Sequence, residues 1–202
     1  MSIKVGVVAV QGAVSEHLEA LDRALRAAGK EGRSVPVRRL KDMEGVQALV
    51  IPGGESTTIS KLLLKFGLFD EITRRAGNGM PVLGTCAGLV LLAREGDEQI
   101  HRTRTRLLGL MDMAVDRNAF GRQRESFEAE IAVDIPGPDF KKPFPAVFIR
   151  APAITRVWGR CKALAKVEDR IVLAEQGNLM AAAFHPELTS DSRIHELLIG
   201  KI

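Results

Sequence analysis

Tyrosine is absent from this 202-residue chain, tryptophan occurs once and phenylalanine eight times. So few rings leave little from which to build a base-stacking platform, which argues against a nucleic-acid partner. Charge does not restore that reading. Lysine and arginine number 29 against 25 acidic residues, a formal net charge of +4. The one dense basic cluster, "HRTRTR" at 101–106, reads as a solvated loop or a docking surface. Cysteine is scarce as well, and Cys86 and Cys161 alone make no disulfide framework. No apolar run approaches a membrane span, and Val5–Val10 is too short for the core of a secretory signal. The expectation is a cytoplasmic protein with neither membrane nor nucleic acid as partner. No repeat, low-complexity tract or Pro/Gly/Ser-rich linker divides the chain, so residues 1–202 are expected to form a single domain.

What is present is a regular alternation. "IKVGVVAV" is a valine-rich run suited to a strand buried on both faces. Val14, Leu18, Leu21, Leu25 and Ala28 then recur at helical spacing up to Gly29. "VPVRRL" and "VQALVIP" read as strands. A helix carrying Ile59, Leu62, Leu63 and Phe66 stops at Gly67, and "MPVLGT" precedes a helix over 87–93. The second half reads as short strands ("FEAEIAV", "PAVFIR", "ITRVW", "ALAKV", "RIVLAE", "NLMAAAF") and a last helix in "DSRIHELLIG", capped by Asp191 or Ser192. The expected fold is a three-layer α/β sandwich around a central mixed, mainly parallel sheet.

In such sheets ligands bind beyond the carboxyl ends of the strands. Three unusual segments fall there: "PGGEST", "TCAG" and "HPE". Cys86 opens a helix after a buried strand, with glycines two residues to either side. A helix N-terminus favours thiolate, and small neighbours permit a sharp turn, so Cys86 is a candidate nucleophile; a small buried hydrophobe is the other reading. Thiolate chemistry needs a proton acceptor. His17 and His195 fall on predicted helices and His101 in the basic cluster, whereas His185 directly follows a buried strand. Glu187, just past a proline, is placed to orient that imidazole. The glycines of "PGGEST" allow N–H groups to converge on an oxygen; the Walker A spacing is missing. That loop can supply one oxyanion donor and the N–H of Ala87 the other, with Ser56 or Thr57 a helix cap.

Cysteine, histidine and glutamate in this order resemble the triad of class I glutamine amidotransferases, and imply their flavodoxin-like fold. "VQGAVSEH", "PGGEST", "GTCAGL", "RNAFGRQRESFEA", "FIRAP" and "FHPELT" together resemble the family of glutaminase subunits of pyridoxal 5′-phosphate synthase. The motifs run from Gln11 to Thr189. The resemblance implies that Cys86 attacks the side-chain amide of L-glutamine, His185 relays the proton and Glu187 orients His185. It implies an oxyanion hole from Gly54 and Ala87. Glutamine would be bound by Gly54, Glu55, Ser56, Arg117, Ile149 and Arg150, and Gln11 would carry activation by a partner. That partner would be a (β/α)8-barrel synthase subunit taking the ammonia, with pyridoxal phosphate as product and no cofactor or metal on this chain. A glutaminase serving another synthase, or a non-catalytic interaction module of the same fold, are the alternatives. The segment 101–106 touches none of these motifs in sequence, and Cys161 reads as structural.

Overall fold

The computed structural model describes residues 2–117, 119, 126–136 and 139–202. Its first strand, β1 (Ile3–Val8), is buried from Val5 onward. Helix α1 (Val14–Ala27) follows and buries His17, Ala20, Leu21, Ala24 and Leu25, one face at three- and four-residue spacing. Gly29 then turns the chain with a φ of 62°, a conformation glycine adopts without a Cβ penalty. Next come β2 (Gly32–Val37), β3 (Ala48–Ile51) and α2 (Ser56–Lys65). Gly67, with φ 70°, stops α2 as expected, donating to Leu64 O, and is also the N-cap of a further helix, α3 (Leu68–Gly77), whose buried face is Leu68, Phe69, Ile72 and Ala76. Strand β4 (Val82–Thr85) leads to α4 (Ala87–Leu92).

Three further elements are absent from the sequence expectation: β5 (Ala93–Glu95), α5 (Glu98–Arg102) and β6 (Met111–Asp116). The short strands of the second half are β7 (Ser126–Ile131), β8 (Phe144–Ile149), β9 (Ala153–Val157), β10 (Lys162–Val167), β11 (Arg170–Gln176) and β12 (Leu179–Ala182). Helix α6 (Arg193–Gly200) follows Ser192, whose side chain makes no capping bond; Asp191 instead accepts from Arg193 N.

The main sheet runs β2-β1-β3-β4-β12-β11-β9-β6-β5, with β10 on β11; β7 and β8 pair separately. β2 through β12 in that order are parallel, and the neighbours beyond are antiparallel until β5 and β6 pair in parallel. The sheet is therefore mixed, as expected. Crossovers are right-handed. The chain moves from β1 to β2 in one direction and from β3 to β4 in the other, so α1 covers one face and α2 and α3 the opposite one. The order reverses at β1 and β3, and in sheets of this kind ligands bind beyond the carboxyl ends at such a reversal.

Candidate active site

Strands β3, β4 and β12 are successive parallel neighbours, so their carboxyl ends share one edge. "PGGEST", "TCAG" and "HPE" leave from those three ends. Ala182 pairs with Thr85, and Cys86 N donates to Ala182 O at 2.8 Å, which carries the register one step past the strand. Segments more than a hundred residues apart in sequence are thereby brought to a common edge.

Cys86 holds φ 48° and ψ −103°, a left-handed backbone on a residue with a Cβ. Such a conformation costs on the order of 1–3 kcal/mol and persists only where its surroundings dictate it. Its neighbours supply the constraint. A Cβ on Gly88 would lie 2.0 Å from Ile51 O, and one on Gly84 would lie 2.5 Å from Gly88 O. The flanking glycines thus serve close approach of α4 to the sheet, and the strain of the turn falls on the cysteine itself. Helix α4 has only six residues, so its dipole is small. The Cys86 side chain lies near the His185 ring, close enough to help raise that ring's pKa.

His185 N donates to Val147 O of β8 at 2.8 Å, and Pro186 opens a short 3-10 turn (Pro186–Leu188) that folds Glu187 back. Glu187 Oε1 accepts from His185 Nδ1 at 2.7 Å, and both residues are buried. Burial alone would lower the His185 pKa. Hydrogen bonds to Cys86 and Glu187, with their charges, overcome it and raise the value to about 10. Gly53 marks where the parts meet. A Cβ there would lie 2.6 Å from His185 Cε1 and 3.3 Å from Cys86 Cβ. The ring edge and the cysteine side chain flank the same point, so Cys86 and His185 converge there, with Glu187 behind the ring.

Two more histidines reach this group, and neither is among the residues expected from the sequence. His17 Nε2 lies 3.3 Å from Glu187 Oε2 and 3.0 Å from Thr85 Oγ1, and His17 Nδ1 lies 3.1 Å from His195 Nε2. Their signal in the sequence is phase: each occupies the apolar face of its helix, where a polar ring must find a partner.

The oxyanion loop departs from expectation in its cap. Glu55, not Ser56 or Thr57, is the N-cap of α2; its longer side chain reaches Thr57 N at 3.0 Å, Thr58 N at 2.7 Å and Thr58 Oγ1 at 2.7 Å. Burial pushes its carboxyl up, but these bonds outweigh burial and hold it below the ordinary value. Gln11 Oε1 accepts from Glu55 N at 2.9 Å, and a Cβ on Gly54 would lie 2.5 Å from that same oxygen. Gln11 therefore covers Gly54 directly. Ala87 is the first residue of α4, so its N–H has no acceptor within the helix. Arg117 Nη1 donates to Ser56 Oγ at 3.3 Å and Thr57 Oγ1 at 3.4 Å, while its backbone N donates to Asp97 Oδ2 at 2.8 Å. Residues 118 and 120–125 of "RNAFGRQRESFEA" lie outside the described residues. Ile149 ends β8, two residues beyond the Val147 carbonyl that holds His185, and Arg150 follows with φ 43°; no bond ties either to Cys86 among the described residues.

The basic cluster is exposed as expected at every residue but Thr105, and it does touch a motif. His101 and Arg102 end α5, Thr105 is buried, and Thr105 Oγ1 lies 2.7 Å from Thr57 Oγ1. Arg106 stacks over the Phe69 ring, 4.5 Å from its centroid. Cys161 is buried, and burial with the nearby Asp112 carboxylate pushes its thiol up to about 11. Among the described residues no group of three or more His, Cys, Asp and Glu side chains is placed to hold a metal ion, and no helix is long and apolar enough to cross a membrane.

Comparison with known proteins gives consistent matches. The model of the SNO glutamine amidotransferase family matches residues 7–202. The chain is 50% identical over 200 residues to the pyridoxal 5′-phosphate synthase subunit PdxT of Methanosarcina barkeri, covering 99% of this chain and 98% of that one. It is 53% identical over 197 residues to the protein of the same name from Archaeoglobus fulgidus, covering 98% and 97%. A crystal structure of a glutamine amidotransferase is similar with a TM-score of 0.84 and 41% identity, over 98% of this chain and 97% of that one.

Proposed function

The chain belongs to the SNO glutamine amidotransferase family, and from that premise we propose that it is the glutaminase subunit of a pyridoxal 5′-phosphate synthase. The observation that carries the chemistry is the convergence of Cys86 and the Glu187-bonded His185 beside the Gly53–Gly54 loop. Cys86 Sγ attacks the side-chain carbonyl carbon of L-glutamine, and the amide N–H groups of Gly54 and Ala87 face the oxyanion that forms. His185 protonates the departing nitrogen, the C–N bond breaks and ammonia leaves a γ-glutamyl thioester. Water, losing its proton to His185, attacks that thioester; the C–S bond breaks and glutamate is released. Glu187 keeps the His185 ring in register throughout.

Arg117, held beside Ser56 by its own hydrogen bonds, suits the glutamine carboxylate as a planar donor. Glu55, with Ile149 and Arg150 at the end of β8, completes the substrate site. The ammonia passes to a synthase subunit, a (β/α)8 barrel, and the chain itself carries no cofactor and works in the cytoplasm. Gln11 is the residue through which docking acts. Its side chain lies on Gly54 and on the N–H of Glu55, so a partner that draws Gln11 away resets the loop for the oxyanion. Glutamate and pyridoxal phosphate are measured with and without the synthase subunit. Slow hydrolysis alone, acceleration by the partner and loss of both in Cys86→Ala are expected. Equal rates with and without partner, or unchanged hydrolysis in Cys86→Ala, would overturn the reading.

A further inference from the structure

Glu187 has a second carboxylate oxygen that the relay does not use. Its side chain is fully enclosed, Oε1 is taken by His185, and Oε2 has no well-aligned hydrogen bond among the described residues. A buried carboxylate oxygen left without a donor is costly. The group that faces it is Nε2 of His17, 3.3 Å away, with Thr85 Oγ1 3.0 Å from the same nitrogen. His17 Nδ1 and His195 Nε2 face each other at 3.1 Å.

Two imidazole nitrogens at that separation need one proton between them, and the choice sets the whole network. Suppose the proton sits on His17 Nδ1. Then a bare lone pair at His17 Nε2 faces the carboxylate. His195 must also be protonated at Nδ1, a buried atom with no partner among the described residues. Suppose instead that His195 Nε2–H donates to His17 Nδ1. Then His17 Nε2–H is aligned with Thr85 Oγ1 and turns its positive edge towards Glu187 Oε2 3.3 Å away, and the unpartnered His195 Nδ1 carries only a lone pair. The second arrangement avoids both a repulsion and an orphaned donor.

We infer that His17 and His195 are positioning residues for the glutaminase reaction: His195 fixes His17 as its Nε2–H tautomer, and His17 holds the free oxygen of Glu187 while the other orients His185. The inference rests on the glutaminase reading of the site. Burial keeps both added rings neutral. It lowers the His17 pKa well below its ordinary value, helped by His195 and His185, and lowers that of His195 to about 3, helped by Arg23. Arg23, six residues along α1 from His17, also donates to Thr189 O at 3.0 Å, so one helix braces the Glu187 turn at two points.

Glutamine hydrolysis by the complex with the synthase subunit is the first test. His17→Leu is expected to lower kcat about tenfold to a hundredfold, short of losing the base altogether, with KM within about twofold. His17→Gln places an amide N–H where Nε2–H stood and is expected to recover most of kcat. Unchanged kcat in His17→Leu would overturn the inference. So would a His17→Gln protein that melts like wild type yet is no more active than His17→Leu. The second test needs no variant: ¹⁵N NMR of the imidazoles of the full chain is expected to report His17 as the neutral Nε2–H tautomer. The Nδ1–H tautomer or an imidazolium would refute it. A wild-type complex that leaves glutamine intact would refute the glutaminase reading, while the NMR result still decides the tautomer.

Discussion

Gly53→Ala tests the geometry of the reacting groups with a single methyl. The added carbon would lie 2.6 Å from His185 Cε1, 3.3 Å from His185 Nδ1 and 3.3 Å from Cys86 Cβ. The Gly53 φ lies outside the left-handed region, so the effect of alanine is chiefly one of space. Carbon atoms in comfortable contact sit about 3.5–4.0 Å apart, so the ring edge must retreat by about 1 Å. It has little room to do so, since its Nδ1 is tied to the buried Glu187 at 2.7 Å. Misplacing a reacting group by that distance costs about a hundredfold in rate, or about 2.7 kcal/mol on the barrier. The local overpacking costs about 1–3 kcal/mol of stability, within what a domain of this size tolerates. Steady-state hydrolysis by the synthase complex, with a thermal melt of the same preparation, reads both quantities. The expected result is kcat about a hundredfold lower in a folded protein. Gly77→Ala, where a Cβ meets nothing within 4 Å, serves as a control with unchanged activity. A folded Gly53→Ala protein whose kcat stays within about threefold of wild type would refute the placement of His185 against this loop.

Gly88→Ala puts its Cβ 2.0 Å from Ile51 O, backbone against backbone; a loss of about 3 kcal/mol or more in urea unfolding is expected, and a neutral change would refute the close approach of α4 to β3. Arg117→Lys removes the planar fork beside Ser56 while keeping the charge; KM for glutamine is expected to rise about tenfold with kcat little changed, and an unchanged KM would remove Arg117 from the substrate site. Arg193 Nη1 and Nη2 donate to the carbonyls of Asp139, Lys142 and Pro143; Arg193→Ala is expected to cost about 2–3 kcal/mol of unfolding free energy and to expose the chain near 139–143 to limited proteolysis. His17 and His195 are held neutral in the folded protein, so the unfolded chain binds more protons below about pH 6.5. Their contribution is whole above that pH and is lost as pH falls towards the depressed folded values, by up to about 1.4 kcal/mol per pH unit for each ring. A urea midpoint unchanged between pH 6.5 and 5.0, where His185 is charged in both states and drops out, would contradict it.

The strand ends that carry the site are legible because their signals are local: buried runs broken by Pro-Gly-Gly, Thr-Cys or Phe-His-Pro need no knowledge of the rest of the fold. Strands β5 and β6 are not legible in that way. The "MDMAVD" run of β6 alternates weakly and is stabilised by pairing with β9, about forty residues on. Helix α3 is masked by Gly67, which ends α2 as it reads but, at φ 70°, also serves as the N-cap of the next helix with no loop between them. Glu55 as a cap escapes any rule written for short side chains, since it depends on where Thr57 and Thr58 present their N–H groups.

The same limit separates the triad from its bracing. Cys86, His185 and Glu187 are distinctive because each breaks the pattern around it. His17 and His195 lie in phase with the helical faces they occupy, so nothing local distinguishes a network member from a histidine satisfied by chance. What distinguishes them is a meeting across 178 residues. The glycines around Cys86 carry the point further. Local rules assign a left-handed turn to glycine, yet Gly84 and Gly88 are already committed to backbone approach, and the strain falls on the one residue between them with chemistry to perform. Where packing and turn geometry compete for the same small residues, packing decides and the nucleophile takes the strained conformation.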